Sequence, residues 1–438
     1  MDKSNVSIKN KKSNYLITAK SNEGYIIYGM ASRSMVILGE REYIKFKSIL
    51  ESPNEIIDED FHESMKELGF LIPEDKDELK YVRTMYWRTC HTKRNLNLTI
   101  LPTLKCNMRC AYCYQNGFEP VSMEKKCFEW IIDFISREIK HLEQVNISWF
   151  GGEPLLCIDN ITHFNKKLKK LCEDYSVELY ISMSSNILNL DEDMQLLLVE
   201  SGINHIETTL AGTREKHNEL RRQTNGTNTF DAIIRNLNGI AKHVRVIVSI
   251  DLTTTNIDTC EDLLNFMKTL KNHKNIYFVF NRVESHKSNE CDELCLNIDT
   301  FNSNAINLYN YCLDIGLNIC DPTNFDNKFI YCPANMMHSY TISPTGQVYT
   351  CCEDYNDEAS VGYIGEGGNL VINNHHFNVR DPYSIPKCID CEILPYCCGG
   401  CLNLESKDKT HCPTEKDFLS DYLLIYYRKK FSKNENKS

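Results

Sequence analysis

The stretch Leu96-Asn-Leu-Thr-Ile-Leu-Pro102-Thr-Leu-Lys-Cys106-Asn-Met-Arg-Cys110-Ala-Tyr-Cys113-Tyr114 decides how the rest of the chain is read. Leu96–Leu101 is a strand-like run, and Pro102 opens the loop that follows it. Three thiols then fall within eight residues, spaced x3 and x2. A loop of this kind can put three thiolates on one metal centre. A tetrahedral site would then lack one protein ligand, and an open position is what a catalytic metal centre keeps.

Outward from this stretch, strands and helices alternate from residue 96 to about 320. The strand candidates are Leu96–Leu101, Val145–Phe150, Val177–Met183, His205–Leu210, Val244–Leu252 and Ile276–Val283. Helix candidates are Glu124–His141, Ile161–Glu173, Asp191–Ser201, Thr229–Lys242, Asp258–Leu270 and Thr300–Ile315. In the first of these, Phe128, Ile131, Ile132, Ile135 and Ile139 form one apolar stripe. Six β-then-α units imply parallel strands with right-handed crossovers, hence an α/β fold built on a partial (β/α)6 TIM-like barrel. Function in such barrels belongs to the loops after the C-terminal strand ends.

Bulk properties narrow the classes. At 438 residues, two or three domains are expected. With 42% apolar and 25% charged residues the chain reads as folded and globular. A net charge of −11 argues against broad binding to nucleic acid or an anionic membrane, both of which favour a basic face. No apolar run approaches the roughly 20 residues of a membrane span, and the first residues have no apolar signal core. The expectation is a soluble, cytoplasmic protein. Its 21 cysteines then point to metal or cluster ligation rather than disulfides. Nine of the 21 lie between Cys332 and Cys412, and Cys291 and Cys295 make one loose pair.

The Cys106, Cys110, Cys113 spacing, with the aromatic Tyr112 before the last thiol, resembles the triad by which radical S-adenosylmethionine (SAM) enzymes hold a [4Fe–4S] cluster. That resemblance implies that SAM chelates the fourth iron and is reductively cleaved to a 5′-deoxyadenosyl radical. After the second strand, Phe150-Gly151-Gly152-Glu153-Pro154 is similar to the family's GGEP motif, which receives the SAM amino group. Glycines allow the main chain close to a ligand, and a carboxylate accepts an ammonium's protons. Ser184-Ser185-Asn186, after the third strand, sits where the family has Ser-Thr-Asn near the SAM ribose and carboxylate; such side chains equally suit a turn. After the fourth strand, Leu210-Ala211-Gly212, His217 and Arg221 resemble a family stretch that has aspartate where this chain has Ala211. A positioning or base role of that aspartate must be absent here or taken by another residue. Arg221 is either a partner for the SAM carboxylate or, with Arg222, a solvated basic pair.

In the last third, Cys332, Gly346 and Cys351 precede Cys388-x2-Cys391-x5-Cys397-x3-Cys401 and then Cys412. Two-residue thiol spacing serves zinc as well, but the x5 and x3 spacings together favour iron–sulfur clusters. The pattern matches, position for position, the seven-cysteine signature of the SPASM domain that follows radical SAM barrels. The resemblance implies that Cys388, Cys391, Cys397 and Cys412 hold one auxiliary [4Fe–4S] cluster. Cys332, Cys351 and Cys401 would hold part of a second, completed by Cys320, by Cys352 or by no protein ligand. Three [4Fe–4S] clusters and SAM are thus the implied cofactors. Pro344-Thr345-Gly346 reads as a hairpin tip between Thr341–Ser343 and Gln347–Thr350. A last amphipathic helix, Glu415–Lys430, is expected to pack on the barrel, with a frayed tail behind it.

The N-terminal part contains three strand-like runs, Tyr15–Ala19, Tyr25–Met30 and Ser34–Leu38, and two helix-like segments, Arg41–Glu51 and Asp60–Leu68. This small α+β module is either a packing extension of the barrel or resembles the winged-helix-like domain with which peptide-modifying radical SAM enzymes grip a leader by strand addition. Residues 72–95 look like a bridge. The expected division is 1–95 for module and bridge, 96–320 for the barrel, 321–414 for the SPASM domain and 415–438 for the helix and tail. The resemblance implies a maturase of ribosomally made precursor peptides, forming thioether crosslinks from cysteine, with a leader-bearing peptide and a reductant such as flavodoxin or ferredoxin as partners. The alternatives are an anaerobic sulfatase-maturing, formylglycine-forming enzyme, against which the long N-terminal segment and Ala211 count, and a non-catalytic iron–sulfur or zinc protein.

Overall fold

The computed structural model describes residues 9–285, 290–323, 325–326, 329–353, 359–373, 381–401 and 412–431; the tail expected to fray lies outside them from 432 on. The described residues form two compact units, one drawn from Met1–His91, Thr323–Asn335 and Val379–Ser438, the other from Thr92–Pro322 and Met336–Asn378.

The first unit begins with β1 (Asn10–Lys12) and an antiparallel meander of β2 (Leu16–Lys20), β3 (Tyr25–Gly29) and β4 (Met35–Leu38). Helices α1 (Glu40–Glu51) and α2 (Glu59–Glu67) follow, then β5 (Leu71–Pro73), which pairs back with β1, and α3 (Glu78–Cys90). Acidic N-caps start two of the helices: Asp58 accepts from Phe61 N at 3.1 Å and Asp77 from Lys80 N at 2.9 Å. The period-2 alternation of β3 sends Ile27 to one face, against Phe46, Ile49 and Met65, and Ile26 and Tyr28 to the other. The supposed bridge is largely α3, whose Val82, Tyr86 and Cys90 are fully buried against that second face.

The second unit is organised on parallel strands β6 (Asn95–Ile100), β8 (Gln144–Trp149), β9 (Glu178–Ser184), β10 (His205–Leu210), β12 (Arg245–Leu252), β13 (Ile276–Arg282) and β14 (Asn318–Ile319). Two three-residue strands, β7 (Met108–Cys110) and β11 (Arg221–Gln223), form a separate antiparallel ribbon. Between the barrel strands run α4 (Lys125–Glu138), α5 (Ile158–Tyr175), α6 (Glu192–Glu200), α7 (Arg214–Leu220), α8 (Phe230–Ile240), α9 (Cys260–Lys268) and α10 (Ile298–Asp314). The six expected strands are present, and β14 adds a seventh.

The sheet also continues past β6. There, β15 (Ser339–Ile342) pairs in parallel with β6, followed by antiparallel β16 (Gln347–Tyr349), β17 (Gly362–Gly365) and β18 (Asn369–Ile372), giving 11 strands. The Pro344–Gly346 hairpin is therefore part of the barrel sheet, and the stretch expected as one SPASM domain contributes to both units. Trp149 on β8 anchors the core beneath; its indole N–H donates to Asn165 at 3.1 Å, satisfying the one polar atom such a ring buries.

The remainder of the first unit comprises the short helices α11 (Pro386–Ile389) and α12 (Leu394–Cys397) and the terminal α13 (Leu419–Phe431). The last helix packs within the first unit. Leu419, Leu423 and Tyr426 share a core with Tyr15, Ile17 and Tyr28, and Ser420 Oγ donates to Thr18 O on β2 at 3.0 Å. Tyr28 and Arg33 both donate to the Phe325 carbonyl, at 2.8 and 3.1 Å, so the N-terminal sheet and the cysteine-rich segment are one core.

Candidate functional site

At the C-terminal strand ends of the second unit, Cys106, Cys110 and Cys113 line a cavity of about 370 Å³. The cavity opens where β9 and β10 stop pairing, beyond Ser184↔Glu207. Three tethers hold the cysteine loop. From the loop after β8, Gly152 N and Glu153 N donate to Thr103 O and Lys105 O at 2.9 and 2.8 Å. From the loop after β9, the Asn186 amide donates to Asn107 Oδ1 at 2.7 Å and approaches Cys106 Sγ at 3.8 Å. From β11, the ribbon pairs Arg221 with Cys110.

Of the residues expected to face SAM, Tyr112, Gly151, Gly152, Ser185, Asn186 and Arg221 line this cavity. Glu153 and Pro154 do not. The Glu153 carboxylate is 1% exposed and accepts from Leu155 N at 2.9 Å, Ser185 Oγ at 2.7 Å and Asn186 N at 2.8 Å. Burial raises its pKa, and these donors work against that rise. Rather than presenting itself directly to an ammonium, Glu153 caps the turn begun by Pro154 and fixes the Ser185–Asn186 loop. Arg221 is buried, so it is no solvated surface cation; Arg222 instead donates to Asn218 O at 2.8 Å. Burial alone would lower the Arg221 pKa, but Cys110, Tyr112 and Asp251 outweigh it and hold the guanidinium charged.

Other lining residues lie within strands rather than in the motif-bearing loops: Glu207 and Thr209 on β10, Ser249 and Asp251 on β12, and Asn281 on β13. Both pairs are spaced by two along a strand, the one signal that places them together on an inner face. Ser249 Oγ donates to Asp251 Oδ1 at 2.9 Å and Asn281 to Ser249 Oγ at 2.7 Å, so Asp251 is an anchored carboxylate in a chain that lacks one at 211. Burial, and then Asp251, push the Glu207 pKa upward.

The donor set suits an iron–sulfur cluster with a polar co-ligand. Although Cys106 is open to solvent at its surface, its place deep in a concave wall pushes the thiol up to about 11, and Cys110 and Cys113 are likewise raised by burial. Metal ligation would have to displace these protons. Among the described residues, Arg221 Nε and Thr208 Oγ1 are buried without a hydrogen-bond partner, and both residues line the cavity. A polar ligand there would satisfy them. No three Cys, His, Asp or Glu side chains among the described residues already converge on one ion, so the fit is one of donor chemistry rather than preformed coordination.

In the first unit, burial pushes the Cys397 thiol up to about 12, followed by the thiols of Cys391, Cys388 and Cys412, so these four share one neighbourhood. Tyr331 is raised by burial, then by Glu415, Cys401, Cys397 and Cys332, which places Cys332 and Cys401 next to that group. Cys351 lies in the second unit after β16. Cys398 is a buried core residue. Cys320 directly follows β14 and its Sγ lies 3.7 Å from the Arg245 guanidinium. Cys352 is on the cavity side, where its carbonyl accepts from Tyr114 Oη at 3.3 Å and the next residue, Glu353, lines the wall.

Comparison with known proteins finds similarity centred on the barrel. Residues 100–269 match the radical SAM superfamily. The radical SAM cyclopropyl synthase TigE of Paramaledivibacter caminithermalis is 23% identical over 457 aligned positions, covering 93% of this chain and 89% of TigE. The cysteine-type anaerobic sulfatase-maturating enzyme of Clostridium novyi is 25% identical, covering 74% of this chain and 95% of that enzyme. The crystal structure of Streptococcus suis SuiB bound to S-adenosylmethionine shares the fold, with a TM-score of 0.53 at 14% identity, over 91% of this chain and 97% of SuiB. No helix among the described residues is long and apolar enough to cross a membrane.

Proposed function

We propose that this chain is a radical SAM maturase of a ribosomally made precursor peptide. The observation that carries the reading is the single cavity shared by three thiols, the buried Arg221 with its unpartnered Nε, and the Gly151–Gly152 and Ser185–Asn186 backbones. When bound, a [4Fe–4S] cluster on Cys106, Cys110 and Cys113 together with SAM supplies a 5′-deoxyadenosyl radical that takes hydrogen from an unactivated carbon, chemistry beyond any side-chain acid or base. The protein's own contribution is placement. Arg221 would pair with the SAM carboxylate, and Gly151 and Gly152 would admit the ligand close to main chain.

Cys388, Cys391, Cys397 and Cys412, and the set containing Cys332, Cys351 and Cys401, are proposed to hold two auxiliary clusters, which when bound would supply redox-active centres. The N-terminal module is proposed to receive the leader of the peptide, and a flavodoxin or ferredoxin to act as reductant. Likeness to TigE extends over 93% of this chain, against 74% for the sulfatase-maturating enzyme, which weighs against sulfatase maturation. Thioether crosslinking of cysteine is the bond proposed first. Likeness to a cyclopropyl synthase favours carbon–carbon ring closure as the second reading.

Both products lose two hydrogens, so the test combines mass spectrometry of a co-expressed candidate peptide with thiol alkylation. A thioether consumes a cysteine thiol, a cyclopropane leaves it alkylatable, and an aldehyde would support the sulfatase-type alternative. Replacing Cys106, Cys110 and Cys113 by alanine should abolish 5′-deoxyadenosine formation and leave the auxiliary iron. Continued cleavage in that variant would overturn the assignment of the triad.

A further inference from the structure

Neither His217 nor Thr229 is among the residues lining the cavity, yet both are 0% exposed and joined in one directional chain of hydrogen bonds. Ala211 N donates to His217 Nδ1 at 3.3 Å. The ring proton must then sit on Nε2, which meets Thr229 Oγ1 at 3.1 Å, and the Thr229 hydroxyl donates to the Arg221 carbonyl at 2.5 Å. Only a neutral imidazole can accept at one nitrogen and donate at the other, and burial, then Arg221, hold the His217 pKa down at about 3. Asn218 Oδ1 locks the far end of the chain by accepting from Thr229 N and Phe230 N at 3.0 and 3.1 Å.

What this chain fixes is the backbone of Arg221, the residue through which β11 meets the cysteine loop. Arg221 pairs with Cys110, Ala111 N donates to Leu220 O at 2.9 Å, and Thr224 N donates to Asn107 O at 3.1 Å. A ribbon of three residues per strand has little stability of its own. We infer that His217 and Thr229 are positioning residues: they read the main chain at residue 211 and set the Arg221 backbone, holding the guanidinium and the Cys110 thiol in register for SAM and the cluster. The contact at 211 uses only a backbone N–H, so the device does not depend on the side chain at that position.

The inference rests on the proposed use of Cys110 and Arg221, and the experiment separates the two. Full-length wild type, Thr229→Val and Thr229→Ser are reconstituted anaerobically and compared in iron content, in SAM affinity by equilibrium dialysis, and in the EPR spectrum of the dithionite-reduced protein with and without SAM. Thr229→Val removes the hydroxyl at nearly constant volume. It should weaken SAM binding about tenfold, the size of one displaced hydrogen bond to a charged group, and diminish the SAM-induced EPR change. Thr229→Ser should restore both. Wild-type affinity and EPR response in Thr229→Val would overturn the inference. If Thr229→Val does not fold, His217→Asn decides by the same criteria. A wild type without a SAM-responsive cluster would instead refute the proposed function.

Discussion

Gly152→Ala is the sharpest single perturbation of the site. Gly152 does not sit in the left-handed region, so alanine can adopt its backbone without torsional strain. The obstacle is space: an added Cβ would lie 2.3 Å from Lys105 O and 2.7 Å from the carbonyl carbon and oxygen of Leu104. These are backbone atoms and cannot swing aside. Ordinary contact begins at 3.4 Å, so the two loops must part by about 1 Å just before Cys106, a displacement that can cost roughly 100-fold in rate. The accompanying overpacking should cost about 1–3 kcal/mol. The assay is 5′-deoxyadenosine formation under dithionite, with iron counted in the same samples. Auxiliary iron should be retained while the rate collapses. Gly39→Ala is the control, because its Cβ would meet only the Glu42 carboxylate at 3.4 Å, and its rate should match wild type. A Gly152→Ala enzyme cleaving SAM at the wild-type rate would refute the claim that the two loops are held in contact through that glycine.

Arg221→Lys keeps the charge but loses the planar fork, and SAM affinity measured by equilibrium dialysis should fall by about tenfold with cluster content unchanged. His217 makes stability acid-sensitive. From its ordinary 6.5 down to about 3 the unfolded chain binds a proton that the folded chain refuses, so stability falls as pH drops through that window, by about 1.4 kcal/mol per unit. The drop in urea midpoint from pH 7 to pH 5 should be smaller in His217→Gln than in wild type, the contribution of other groups being common to both. Lys416 Nζ lies 4.0 Å from Cys412 Sγ, and the Lys416 pKa is raised chiefly by that thiol. Lys416→Gln should lower the potential of the cluster assigned there by on the order of 50 mV, close to a tenfold change in a one-electron couple, as read by EPR-monitored redox titration.

Much of the barrel was legible because its signals are local. The stripe from Phe128 to Ile139 marks α4 without help from elsewhere, and the bounds of His205–Leu210 agree with β10. Segment α3 was read as a bridge because its charged and aromatic residues masked Val82, Tyr86 and Cys90, which repeat at four-residue intervals on one face. The β7–β11 ribbon had no such signal. Its strands are three residues each and more than a hundred positions apart, so only tertiary folding pairs them. The partner of α13 was equally hidden, since an amphipathic stripe says that a helix packs but not on what. Glu153 was found for its motif, but its capping of the Pro154 turn follows from the Glu-Pro order itself, an acceptor before proline at a helical first position.

Strand β6, which launches the cysteine loop, is bonded on one side to β8 and on the other to β15. Its amides can therefore open to solvent only when the whole sheet opens, so their protection in deuterium exchange should report global unfolding. The ribbon at the other end of the same loop has no such neighbours and should exchange by local fraying. Under warming or exposure to air, the cysteine loop is thus a hinged flap whose Cys110 side loosens first while the Cys106 side stays pinned to the sheet.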